Sequence, residues 1–294
     1  MEYKELDRRF KVVLTKAVRG NDTAVDTYTF NCGPDANSYR ATAQIVEGGT
    51  SEYKSNASIT IYGLGYEKLK ELSFLLFESV SGAMDKRNNV DIWVDNTLIF
   101  TGNTYFISAD FSNAPDVALA ITGVVGKFAS SVPAQDTPTA NLSAVQVFET
   151  LAQTMGYKLL YTPGIEKIKC PDIILQGSAW EQAQDLAKAV NVKVYFSLGY
   201  LRVGEIGKAL IGGDPYKLSN RNGLIGYPYF NSNGVNFKSI FTPALRVGHY
   251  VELETLVPLA KGKWYVNTKT SNLSTLPEGK WESEYISYVE KNLQ

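Results

Sequence analysis

The chain has a single histidine, two cysteines and three methionines in 294 residues. A structural zinc site needs three or four His, Cys or carboxylate ligands at short spacing, and this inventory cannot supply it. A Ser-His-Asp or Cys-His arrangement would have to use His249, yet its neighbours Gly248 and Tyr250 give it no local partner. It reads as a half-exposed strand histidine. Cys32 and Cys170 lie far apart and read as two buried thiols rather than one disulfide. Charge of one sign is lacking too. Lys and Arg number 29 against 30 Asp and Glu, a net charge of -1. No basic surplus exists to neutralise a phosphate backbone, so nucleic-acid binding leaves no electrostatic footprint. No apolar run approaches the ~20 residues that span a bilayer. The charged start, MEYKELDRRF, has no apolar core segment of the secretory kind. These absences lead us to expect a soluble protein made in the cytosol.

What is present is globular. Apolar residues make up 44% and charged residues 20%, enough to build two or three modest cores in a chain of this length. Tyrosine is abundant, with 18 copies, and is favoured in strands and at interfaces. The first region reads as β. Strands are expected over Phe10 to Val18, Thr27 to Cys32 and Ala57 to Tyr62, where Ala57, Ile59 and Ile61 share one face. Leu69, Leu72, Leu75 and Leu76 then recur at helical spacing. VDIWV and TLIFTG flank Asp95-Asn96, which tolerates the positive φ of a tight hairpin turn. Two further β runs follow, Tyr105 to Phe111 and Val117 to Val125. SSVPAQDTPTAN, from Ser130 to Asn141, reads as a linker.

The middle region changes character. Ser143 with Gln146 and Ser178 with Glu181 are two capping boxes, each opening an amphipathic helix. One stripe is Val145, Phe148, Leu151, Ala152 and Met155, stopped by Gly156; the other is Trp180, Ala183, Leu186, Ala187 and Val190. Strands are expected at Tyr157 to Tyr161, Ile173 to Leu175, Val192 to Phe196 and Leu201 to Val203. The order helix, strand, strand, helix, strand, strand suggests a pseudo-repeated α+β domain. The last region is β again, with candidate strands Asn236 to Phe241, Val247 to Leu253, Lys263 to Lys269 and Trp281 to Val289.

The chain is therefore expected to be α+β and mostly β: two small antiparallel β-barrels flanking an α+β middle domain. The expected bounds are residues 1–130 for the first barrel, with its one helix, 139–207 for the α+β domain and 208–294 for the second barrel.

Catalytic chemistry finds little footing. Glu149, Glu181 and Asp185 are the carboxylates that could flank a glycosidic bond, but Glu181 is explained by capping and pairs with Asp185 only as a like charge at i,i+4. Gly48-Gly49 and Gly212-Gly213 lack the spacing of a phosphate or dinucleotide loop. No Gly-x-x-Gly basic loop joins the middle helices, as an RNA-binding KH module would require. Trp93, Trp180, Trp264 and Trp281 are spread over all three regions and read as core or rim residues, not a sugar-stacking platform. We assign no catalytic, cofactor or metal residues.

One resemblance is positive. The segment GLIGYP (Gly223 to Pro228) followed by GVNFKSIFTPALRVG (Gly234 to Gly248) resembles the C-terminal part of central baseplate hub proteins of contractile phage tails. SITIYGL, VDIWVDNTLIFTG and FSNAPDVALAITG agree with that likeness as ordinary β grammar. The family is similar to the hub of T-even phages and to the base of type VI secretion spikes. The resemblance implies a structural virion protein, not an enzyme, with two tube-like barrels per chain and a homotrimer forming a pseudo-sixfold ring. It implies contacts with the tail tube, central spike, baseplate wedge and tape measure proteins, and passive passage of DNA through the channel. It implies location in the tail baseplate after synthesis in the host cytoplasm, without a membrane segment. Two other readings belong to different classes. A tail-associated peptidoglycan-degrading enzyme would need facing carboxylates, and a peripheral receptor- or carbohydrate-binding module would need an exposed aromatic platform.

Overall fold

The computed structural model describes residues 7–18, 23–48, 55–73, 87–111, 114, 116–210, 212–232 and 234–289. The chain is mostly β. Thirteen strands are hydrogen bonded into one large, mainly antiparallel sheet. By contact density it divides into two compact units. Unit one holds residues 1–45, 56–124 and 271–282, and unit two holds 46–55, 125–270 and 283–294.

Unit one contains β1 (Phe10–Ala17), β2 (Val25–Cys32), the first residues of β3 (Arg40–Gly48), β4 (Asn56–Tyr62), α1 (Tyr66–Ser73), β5 (Asn89–Val94), β6 (Thr97–Asp110) and β7 (Ala118–Val124). Its strand order is β3-β4-β7-β6-β5-β1-β2. Period-2 alternation sets the buried face. Ala57, Ile59 and Ile61 are all buried, as expected, and so are Val12, Leu14, Ile92, Phe100 and Ile121 on the other strands of this sheet. Asp95 and Asn96 have φ of 46° and 60°, so the β5–β6 turn is of the primed kind that matches strand twist. TLIFTG and Tyr105 to Phe111, expected as two strands, are one 14-residue strand, β6, with a bulge between Thr104 and Phe106. Gly123 is required on β7. A Cβ there would lie 2.5 Å from Val90 Cγ1 and 2.9 Å from the Phe100 ring. Helix α1 buries Leu69 and Leu72; Leu75 and Leu76 lie outside the described residues.

Unit two opens with a helical layer. The segment expected as a linker instead forms a 3-10 turn at Ala129–Ser131 and a short strand, β8 (Thr137–Pro138), which pairs with β10 (Ile174–Leu175). Prolines are accepted at such short edges because few ladder bonds are lost. Helices α2 (Ala144–Thr154) and α3 (Ala179–Ala189) start at Ser143 and Ser178, and both capping boxes are complete. Gly156 follows the C-cap of α2 with φ 79°. The buried side chains of α2 are Ala144, Val147, Phe148, Leu151 and Ala152, with Met155 buried at its end; Val145, expected in the stripe, is only half-buried, and Ala144 and Val147 take its place. The helices pack on a three-stranded sheet ordered β11 (Val192–Ser197), β12 (Tyr200–Glu205), β9 (Lys158–Tyr161). Rings of Tyr157 and Trp180 each lie 4.5 Å from Phe196.

The rest of unit two is the β-rich part that follows. It contains β13 (Tyr216–Ser219), β14 (Leu224–Phe230), β15 (Gly234–Ile240), β16 (Tyr250–Glu254) and the greater part of β17 (Gly262–Ser274) and β18 (Trp281–Tyr288). Order runs β14-β15-β18-β17, with β16 on β17 and β13 parallel on β16. Phe237, Tyr285, Val235, Leu245, Val251, Leu253 and Val266 form its core.

The two closed barrels expected from the sequence differ from what the hydrogen bonding shows. Among the described residues the strand order is open, with β2 pairing only β1 and β14 pairing only β15. The physical reason lies in three strands. Residues of β3, β17 and β18 belong partly to unit one and partly to unit two, so the strands that would close separate barrels are shared.

Candidate functional site

The residues weighed for chemistry do not converge. His249 lies in the turn before β16, not within a strand, and donates its backbone N–H to Arg246 O at 3.2 Å. Burial and the cations Arg246, Arg202 and Lys269 hold its imidazole below the usual histidine range, so it is neutral near pH 7. Cys32 is buried and its thiol is pushed up to about 12 by desolvation; Cys170 is half-buried and shifted the same way, and neither is in a disulfide. Neither thiol has the lowered pKa of a reactive cysteine. Glu149 is exposed on α2. Glu181 is held low by its bonds to Ser178, and Asp185 pairs with Lys188 at 3.0 Å on the surface. Gly48 ends β3 and donates its N–H to Ser55 Oγ at 3.1 Å; Gly49 lies outside the described residues. Gly213 has φ 122° in a plain turn. Among the described residues no three His, Cys, Asp or Glu side chains are grouped to hold a metal ion. Among them, too, no helix is long and apolar enough to cross a membrane.

Two features of unit two were not visible in the sequence pattern. The first is a buried charge network beneath the segment TPALR. Lys269 on β17 has a side chain 3% exposed. Its Nζ donates to the carbonyls of Leu245 at 2.8 Å and Thr242 at 3.1 Å, with Glu47 Oε2 at 3.9 Å. Arg246 Nε donates to Pro243 O at 3.0 Å. These bonds clamp the turn between β15 and β16 onto β17. Burial pushes the Glu47 carboxyl up, opposed by the charges of Lys269, Arg246 and Arg202, and pushes Lys269 down to about 8. Tyr195 and Arg202 stand opposite each other on β11 and β12. The Tyr195 hydroxyl and Arg202 Nε are buried without a hydrogen-bond partner among the described residues. Glu47 escaped sequence reading because its charge partner, Lys269, lies far along the chain and no local pattern marks the pair.

The second feature is a cleft of about 970 Å³ in unit two. Its walls include Trp264, Phe230, Tyr288 and Ile206, with Lys188 and Lys193 among them and no carboxylate among the described lining residues. Lys193 is 8% exposed. It donates to Lys208 O and, at 2.8 Å, to the Tyr265 hydroxyl, and its Nζ lies 4.0 Å from the Tyr265 ring centroid. Desolvation lowers Lys193 to about 7 and raises the Tyr265 phenol well above its usual value.

Lys193 and Lys269 give the stability a direction with pH. In the folded chain they release their protons near pH 7 and 8, whereas in the unfolded chain they keep them to about 10.4. The unfolded state then binds more protons, so stability rises as pH rises from 7 to 8.5. Above about 9 the raised thiol and phenols act the opposite way. Urea midpoints measured across that window should climb, and Lys193→Met should flatten the climb; an unchanged slope in the variant refutes the assignment.

The arrangement is thus one of buried structural charge and contact surface, with no assembled catalytic constellation among the described residues. The fold is similar to that of a tail protein from Neisseria meningitidis MC58, at 10% identity, covering 95% of this chain and 96% of that one with a TM-score of 0.64. It is also similar to the 43 kDa tail protein of prophage MuSo2 from Shewanella oneidensis, at 8% identity, covering 95% and 97% with a TM-score of 0.63. The chain therefore has the fold of phage tail proteins. No curated protein matches the sequence. The family model described as baseplate hub gp41 matches residues 49–274, and the chain belongs to that family. It is a structural component of a phage tail baseplate.

Proposed function

We propose that the chain is the central hub of a contractile tail's baseplate, a homotrimer whose ring adapts the hexameric tail tube to the trimeric spike and encloses the channel. The observation that carries this reading is that one chain holds two compact β-rich units. Three copies supply six such units, the number that a sixfold tube presents. Exposed strand edges are a second support. Among the described residues β2 ends the strand order, and beyond the Tyr39 N–H to Asn31 O bond at its C-terminal end its outer edge carries neither Pro nor Lys, which leaves it open to pairing with a neighbour. β14, at the other end, carries Pro228 and a bulge between Ile225 and Tyr229, two devices that blunt an edge. Its exposed Tyr227, Tyr229 and Phe230 suit side-chain contact rather than strand addition. The ring's neighbours are the tube, spike, wedge and tape measure proteins, and DNA passes through it without sequence readout. The α+β segment proposed over 139–207 lies wholly in unit two.

Electron cryo-microscopy of assembled tails tests this. Three copies around the tail axis, with a pseudo-sixfold inner wall, are expected. A single copy at the tail periphery, or a cleft occupied by cell-wall material, would sink the hub reading.

A further inference from the structure

We propose that the seam between the β11–β12 hairpin and β17 binds one small inorganic oxyanion of the phosphate class, with the Tyr195 hydroxyl and the Arg202 guanidinium as its donors. The inference concerns unit two alone and does not rest on the trimer. The hairpin has two faces. Val194, Phe196, Leu201 and Val203 share one, and Trp180 of α3 lies against the Phe196 ring. Lys193, Tyr195 and Arg202 share the other, with Tyr195 directly opposite Arg202. That second face is pressed against the β-rich part. Tyr195 belongs to its core with Leu245 and Val266, and Lys193 reaches the Tyr265 hydroxyl on β17 at 2.8 Å.

The other buried cations of this seam are matched to acceptors. Lys193 donates to Lys208 O and Tyr265, Lys269 to Thr242 O and Leu245 O, and Arg246 Nε to Pro243 O. Tyr195, 2% exposed, and Arg202 Nε are different: both atoms are buried and neither has a hydrogen-bond partner among the described residues. The Arg202 guanidinium lies 5.8 Å from the Tyr200 ring centroid, a contact that leaves its in-plane N–H groups for another acceptor. Folded chains rarely leave buried polar groups unmatched. An acceptor is what this pair requires, because Arg can only donate and burial holds the phenol well above its ordinary pKa, with its proton to give. The surrounding charge selects an anion over a neutral acceptor. Arg202, Arg246 and Lys269 all act on Glu47 and on the neutral His249. Three cations thus face one carboxylate among the described groups acting there, where desolvation strengthens each charge interaction. The planar fork of Arg202 fits two oxygens of one oxyanion, which a halide cannot offer.

The test is calorimetric titration of sodium phosphate into the full chain, purified in chloride, at neutral pH and constant ionic strength, with thermal unfolding followed in parallel. Phosphate released on denaturing the dialysed chain is assayed as well, so that an anion carried through purification is counted. One phosphate per chain is expected, by uptake or release, with a melting temperature that climbs and saturates over the same concentrations. Tyr195→Phe keeps the ring in the core and removes only the hydroxyl. It should weaken binding about tenfold, the loss of one hydrogen bond to a charged group. Arg202→Lys keeps the charge but not the fork, and should weaken binding at least as much. Salting-out by phosphate would raise the melting temperature of the parent chain and both variants alike. That result, or a rise matched by chloride at equal ionic strength, overturns the site. Absence of both uptake and release overturns it too, and leaves Tyr195 and Arg202 to water.

Discussion

Replacing Lys269 by methionine is expected to destabilise unit two by about 3–5 kcal/mol, the usual cost of removing one member of a buried ion pair. The ammonium is the donor for two backbone carbonyls, Thr242 and Leu245, and the counter-charge of Glu47. Methionine fills similar volume but satisfies none of them. The buried carbonyls would lose their partner and the carboxylate its neutralising charge. Thermal and urea unfolding of the full chain should both record the loss, as an earlier transition for unit two. The double variant Glu47→Gln with Lys269→Met should lose less than the sum of the single changes, because a neutral amide tolerates the missing cation. Strict additivity would show that the 3.9 Å separation between the charges carries no coupling.

The second large effect is expected at Phe237. Its ring stacks on Tyr285 with centroids 4.7 Å apart and an interplanar angle of 11°, at 2% and 1% exposure. Phe237→Ala removes the ring from the centre of the unit-two core and should cost about 3–5 kcal/mol, since the cavity left behind collapses only in part. Phe237→Leu should recover much of this, because it returns most of the apolar volume. A loss below about 1 kcal/mol for the alanine variant would mean that Tyr285 and Val235 close over the gap. Both effects can be read by denaturant midpoints, with the slope checked for constancy.

Local signals were legible and long-range ones were not. Ser143, Ser178 and Gly156 each encode a helix end within a few residues, and all three appear where their chemistry requires. Asp95-Asn96 likewise encodes its own turn. By contrast, Arg40–Gly48 was not singled out as a strand, although it forms β3. It alternates, with Ala41, Ala43 and Ile45 buried, but two of its three inward residues are alanines that carry little apolar signal, and one of its two partners, β17, comes from distant sequence. Lys193 and Lys269 show the same limit. Period 2 says which residues share a face, but not which face meets carbonyl oxygens deep in the protein. A lysine in a strand is read as solvent-facing until its acceptors are known. Gln182, 0% exposed on α3, is another such case: its Nε2 donates to Gln135 O at 2.9 Å and to Gly177 O at 3.1 Å. Leu256 and Leu259, between β16 and β17, err in the other direction, apolar by sequence yet outside.

The division of β3, β17 and β18 between the two units carries a consequence for biosynthesis. Unit one draws on residues 271–282, which leave the ribosome long after residue 124. Its sheet stays incomplete while the middle of the protein is being translated, with apolar strand faces waiting for partners of very distant sequence. Such pairing closes large loops and is intrinsically slow. The nascent chain must therefore survive an interval in which aggregation competes with completion, and host chaperones that shield unpaired strands should raise the yield of assembly-ready hub. Supplying residues 262–294 as a separate polypeptide should likewise rescue a chain truncated before them, if the late strands add to a preformed framework.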